Sequence, residues 1–92
     1  VGPHYVASKA GMIGLSRAFA MAFVKEGITV NAVAPGSIET EMLTKDLGVT
    51  SPRAPVGRFG TAGEVADAVL MLVRNGYITG QTLLISGGSN LT

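Results

Sequence analysis

The chain is 92 residues long, 47% hydrophobic and 14% charged, with a formal net charge of +1. It is the size of one small domain, and a charge so small, with no Lys/Arg cluster, excludes an electrostatic nucleic-acid binder. Cysteine is absent and His4 is the single histidine, which excludes a disulfide framework and a thiolate metal site and leaves no set of metal ligands.

No uninterrupted apolar run is long enough to span a bilayer. Nothing resembles a signal peptide, although Val1 opens the sequence, so the cytosol is the expected compartment. So few charges on so small a body imply that the chain sits inside something larger or assembles with partners.

Val1 to His4 read as a lead-in, with Pro3 suited to a helix start. From Tyr5 to Glu26 the pattern predicts one long helix, closed by Gly27 as C-terminal cap. Apolar residues surround it, and between Lys9 and Lys25 the only charge is Arg17. A helix of this kind is expected to be covered on both sides. One side can rest on a sheet and the other needs a neighbouring helix. The small residues Ala7, Ala10, Gly11 and Gly14 permit close approach, either within the chain or from another subunit.

Ile28 to Ala34 is a β-branched run ended by Pro35-Gly36, and it predicts a buried strand of a parallel sheet. Asn31 inside it needs partners and is expected to bond neighbouring backbone. Ser37 to Gly57 reads as a long connection with one short helix around Thr40 to Leu47, and Ser37 and Glu39 are expected in solvent. Thr61-Ala62-Gly63-Glu64 is a capping box. The helix it opens puts Val65, Ala68, Val69, Leu72 and Val73 on one face and stops near Arg74-Asn75-Gly76. Gln81 to Ser86 is a second apolar strand, ended by Gly87-Gly88.

Strand, helix, strand implies a crossover between parallel strands. Two strands and two helices do not finish such a sheet, because both edges stay bare. The fold class expected is therefore α/β, with residues 1–92 forming the C-terminal part of a doubly wound parallel-sheet Rossmann fold.

The chemistry lies at the start of the first helix. Tyr5 and Lys9 are four residues apart, one turn along a single helix face. An isolated phenol is ionised in about one molecule in a thousand at neutral pH, and a fixed ammonium nearby favours the phenolate. Such a pair can pass a proton to or from an alcohol or carbonyl oxygen. The alternative at this spacing is a surface lysine above a packed tyrosine ring.

Taken in order, Tyr5-Val6-Ala7-Ser8-Lys9-Ala10-Gly11, Gly27 to Gly36 (G-I-T-V-N-A-V-A-P-G), Ile38-Glu39-Thr40, Gly57-Arg58-Phe59-Gly60-Thr61 with Glu64, and Ile78-Thr79-Gly80-Gln81-Thr82 with Gly87-Gly88 resemble the short-chain dehydrogenase/reductase family. The likeness is strongest to its 3-oxoacyl-[acyl-carrier-protein] reductases and covers essentially the whole chain. It implies an NAD- or NADP-dependent oxidoreductase that interconverts a ketone and a secondary alcohol, with a 3-oxoacyl thioester as the expected substrate.

The resemblance also implies roles. Tyr5 is the acid in reduction and the base in oxidation, and Lys9 binds the nicotinamide ribose. The backbone at Pro35, Gly36 and Ile38 lies along the nicotinamide, with Ile38 bonding its carboxamide, and the Thr40 hydroxyl joins that end of the cofactor. The segment after Thr40, up to about Pro55, is a mobile lid. Family likeness suggests a homo-oligomer, a tetramer or dimer built partly on the first helix, and a place in fatty acid biosynthesis. Enoyl reductases of the family put more residues between tyrosine and lysine, so carbonyl reduction is favoured.

The family's T-G-x-x-x-G-x-G phosphate loop, its N-N-A-G stretch and its catalytic serine do not occur in these residues. The nucleotide-binding half is therefore expected to be absent, and the 92 residues alone to be inactive. The competing reading is an incomplete fragment that serves only as a structural or oligomerising element. Ala22 stands where related proteins often have glutamate, and Ser86 where aspartate is common.

Overall fold

The computed structural model describes residues 2–39 and 54–89. The elements are α1 (Pro3–Phe23), β1 (Ala32–Pro35), α2 (Ala62–Arg74) and β2 (Thr82–Ile85), with a 3-10 turn, Val24–Glu26, directly after α1. They fall into two compact units: Val1–Ala32 with Leu72–Leu83, and Val33–Met71 with Leu84–Thr92. The short helix expected around Thr40 to Leu47, and most of the expected lid, lie outside the described residues.

In the first unit α1 begins two residues earlier than the sequence pattern places it. Pro3 stands in its first turn, where a fixed φ and a missing N–H cost nothing. The N–H groups of Tyr5 and Val6 both donate to the Gly2 carbonyl, at 3.1 and 3.2 Å. His4 is therefore helical rather than part of a lead-in, and its ring lies over Gly2.

The other end of α1 tightens into the 3-10 turn and stops at Gly27, whose φ is +78°. Gly27 N–H donates to Val24 O at 3.2 Å and Ile28 N–H to Phe23 O at 3.3 Å. That pair of bonds is the Schellman pattern, and its left-handed residue suits glycine.

Within this chain the cover on α1 is narrow. Within the described residues only Ile13, Ser16 and Ala20 turn inward, at helical spacing. Ala20 is 3% exposed and faces the turn at Gly80. Met12, Leu15, Phe19 and Met21 remain exposed, Met21 at 80%. The contact of Ala20 with the Gly80 turn lies within the first unit.

The expected strand from Ile28 starts later, at Ala32, because its first residues are met by a turn and not by a ladder. Val30 N–H donates to Thr79 Oγ1 at 3.0 Å, and Gly80 N–H donates to Val30 O at 2.8 Å. Asn31 fulfils its expected role: Nδ2 donates to Ile78 O and Oδ1 accepts from Gln81 N–H, both at 3.0 Å. One side chain thus replaces a backbone rung on each side.

Strand pairing then takes over. Ala32 N–H donates to Gln81 O at 2.9 Å, and Gly36 N–H donates to Ile85 O at 2.8 Å. Donor and acceptor advance together along both strands, so β1 and β2 are parallel neighbours. Gly36 is glycine for a packing reason: a Cβ there would come within 3.0 Å of Ser86 Cα.

α2 bears out the capping box, since Glu64 N–H donates to Thr61 Oγ1 at 3.1 Å and Thr61 N–H to Glu64 Oε1 at 3.0 Å. Its predicted apolar face holds only in part. Val65, Ala68 and Leu72 are half-buried, whereas Val69 and Val73 are exposed. Past its end, Asn75 Oδ1 accepts the Tyr77 N–H at 3.0 Å, an Asx turn that halts the helix.

Asn31→Ala removes a donor to the half-buried Ile78 carbonyl and an acceptor from the exposed Gln81 N–H. It is expected to lower stability by about 1–3 kcal/mol, the cost of leaving such groups unpaired. Urea unfolding of the full-length protein measures this, and Asn31→Asp, which keeps only the acceptor, is expected to fall between the two.

Candidate active site

Tyr5 and Lys9 stand one turn apart in the first half of α1. Both are exposed, Tyr5 at 55%. Neither the phenol nor the ammonium takes a hydrogen-bond partner among the described residues. The arrangement that sequence spacing predicts, a phenol and an amine on one helix face, is present; a tyrosine ring packed away beneath a surface lysine is not.

Pro35, Gly36 and Ile38 lie in the second unit, at and just past the end of β1. Thr40 lies outside the described residues. Beyond Gly36 the chain leaves β2 and pairs instead with Gly60 through a parallel bridge at Ile38. Gly60 N–H donates to Ser37 O at 2.9 Å, and Glu39 N–H donates to Gly60 O at 2.8 Å. A parallel bridge of this form turns the N–H and C=O of its middle residue to the opposite edge. Among the described residues the Ile38 N–H and C=O take no partner, so they present a donor and an acceptor side by side. The family resemblance implies the nicotinamide carboxamide at Ile38, and a donor and an acceptor on one edge are compatible with that group. Ser37, expected in solvent, is half-buried, while Glu39 is exposed.

The second unit contains a feature that sequence reading missed. The Arg58 guanidinium forms a fork with Glu64, Nη1 to Oε1 at 2.8 Å and Nη2 to Oε2 at 2.9 Å. Nη1 also donates to Phe59 O at 3.0 Å. The Arg58 hydrogen bonds, then the Thr61 N–H, hold the Glu64 carboxyl down at about 2 against an ordinary 4.5, and the same pairing raises Arg58. Arg58 and Glu64 are six apart, which is not a helical contact spacing. The readable signal was an arginine three residues ahead of a capping-box threonine.

An open cleft of about 110 Å³ lies beside this pair, with Ser37, Val56, Ser86 and Gly87 among its lining residues. Among the described residues no three His, Asp or Glu side chains cluster as metal ligands. No described helix is long and apolar enough to cross a membrane.

A family profile described as "Enoyl-(Acyl carrier protein) reductase" matches residues 2–90. The 3-oxoacyl-[acyl-carrier-protein] reductase of Bos taurus is 48% identical over 90 residues, covering 96% of this chain and 38% of the bovine protein. The chain therefore spans well under half the length of that relative. Among solved structures, a 3-oxoacyl-[acyl-carrier protein] reductase from Brucella melitensis ATCC 23457 superposes with a TM-score of 0.84 at 35% identity, covering 100% of this chain and 37% of its own. ElxO with NADP bound gives 0.80 at 39% identity, covering 90% of this chain and 37% of its own.

The Glu64 shift gives a pH test. A carboxyl held below its unfolded value contributes stability that is present above about 4.5 and is lost as pH falls towards about 2. Carbon-detected NMR titration is expected to place Glu64 at the bottom of that window. Arg58→Met is expected to return Glu64 towards the ordinary carboxylate range.

Proposed function

The chain belongs to the short-chain dehydrogenase/reductase family, and from that membership we propose that it is the C-terminal part of one such domain. The intact protein reduces a 3-oxoacyl thioester at the expense of NADPH or NADH. The observation that carries this reading is the Tyr5–Lys9 pair, one turn apart and open on α1.

When bound, the nicotinamide supplies the hydride to the carbonyl carbon. Tyr5 delivers a proton to the carbonyl oxygen, which completes the alcohol, and takes one back in the reverse direction. Lys9 holds the ribose hydroxyls and places its positive charge beside the phenol. The Ile38 amide and carbonyl hold the carboxamide, Pro35 and Gly36 lie along the ring, and the Thr40 hydroxyl joins the same end. Fixing the ring in this way orients one face of it towards the substrate carbon.

The family description names enoyl reduction, whereas the bovine and Brucella relatives are named for 3-oxoacyl reduction. Three residues between Tyr5 and Lys9 resemble the carbonyl-reducing pattern, and that is the reaction we assign. The exposed apolar surface of α1 supports self-assembly; the homotetramer, the cytoplasmic location and the role in fatty acid biosynthesis rest on family likeness. A second reading is supported by that same surface and by the absence of the phosphate loop and catalytic serine from these residues: a fragment that serves as a structural or oligomerising element.

The intact protein is expected to oxidise NADPH with a 3-oxoacyl thioester and not with the corresponding enoyl thioester. Tyr5→Phe is expected to lower turnover by about 10²–10⁴-fold, the range for loss of a positioned acid; near-normal turnover would remove Tyr5 from the mechanism. Lys9→Ala is expected to weaken cofactor binding as well as turnover. If the 92 residues alone are the mature protein and fluorescence titration shows no NADPH binding, the structural reading stands.

A further inference from the structure

The strand end that carries Ile38 has little to hold it. Its last bond to β2 is Gly36 N–H to Ile85 O, and past that point the described chain is tied only through Gly60. Gly60 is in turn fixed from both sides. The carbonyl of the peptide before it, Phe59 O, accepts from Arg58 Nη1 at 3.0 Å. The N–H of the peptide after it, Thr61, donates to Glu64 Oε1 at 3.0 Å. Arg58 and Glu64 are locked to each other by the two-bond fork. Both peptide planes flanking Gly60 are thus pinned by one charge-assisted network centred on a single carboxylate.

We infer that Arg58 and Glu64 are positioning residues for the nicotinamide-facing backbone: by fixing Gly60 they hold Ser37 to Glu39 in register and keep the Ile38 amide and carbonyl turned outward. The inference rests on the function proposed above, because it presumes that Ile38 meets the cofactor.

The pair is exposed, at 57% and 44%, and exposed pairs add little to global stability. Its planar, two-point geometry offers orientation instead, which a lysine does not reproduce. The residues do not touch the reacting atoms, so their effect falls on how well the cofactor is held and not on the chemical step.

The test uses the intact protein with Arg58→Met, Arg58→Lys and Glu64→Gln, and reads two quantities. The first is amide hydrogen exchange at Glu39 and Gly60 without cofactor. The second is KM and kcat for the reduced nicotinamide. Arg58→Met is expected to speed exchange at both amides and to raise the cofactor KM by about tenfold, the scale of one charge-assisted hydrogen bond, with kcat within about twofold. Arg58→Lys is expected to restore only part of the loss. Glu64→Gln keeps an acceptor for the Thr61 N–H but breaks the fork, and guards against a failure of Arg58→Met to fold.

Folded variants with unchanged exchange overturn the inference while leaving the function intact. Faster exchange with an unchanged KM shows that the clip exists but does not serve the cofactor, which also overturns it. A wild-type protein that binds no reduced nicotinamide overturns the proposed function, and this inference with it.

Discussion

The backbone from Val30 to Glu39 must satisfy its polar groups against partners far away in sequence, and the rest of the structure is arranged around that requirement. The Thr79–Gln81 turn and the Asn31 side chain meet its start, β2 its middle and Gly60 its end. A strand that changes partner twice in ten residues cannot be a plain rung of a sheet. After the last change, the Ile38 N–H and C=O take no partner among the described residues.

Much of this was readable where the physics is local. The capping box at Thr61 and Glu64, the glycine stop at Gly27 and the Asx turn after α2 depend on residues within a few positions of each other. The two strands were readable as apolar runs between turn residues, but β1 begins four residues later than its β-branched run. Ile28 and Thr29 have strand composition without a strand partner, and composition cannot supply a partner. The same limit applies to α1. Its apolar circumference is plain in the sequence, yet only Ile13, Ser16 and Ala20 find something to cover them among the described residues.

The candidate site was legible in unequal parts. Tyr5 and Lys9 could be placed on one helix face from their spacing alone. Gly36 was readable as the end of a strand, whereas the close approach of Ser86 from the neighbouring strand depends on the strand pairing. The network of Arg58, Glu64 and Gly60 was not legible, because it needs the turn between Arg58 and Thr61 to fold an arginine back over the helix start. No periodic pattern encodes that.

The span 40–53 enters and leaves the described structure at two fastened points. Glu39 is tied to Gly60, and on the far side Val56 N–H donates to Gly87 O at 3.0 Å. Both fastenings belong to the same unit and neither uses a residue of the span. Doubling the length of a segment closed between fixed ends adds only about 0.6 kcal/mol of closure entropy. A change of length past Thr40 and before Ala54 therefore leaves both fastenings their partners.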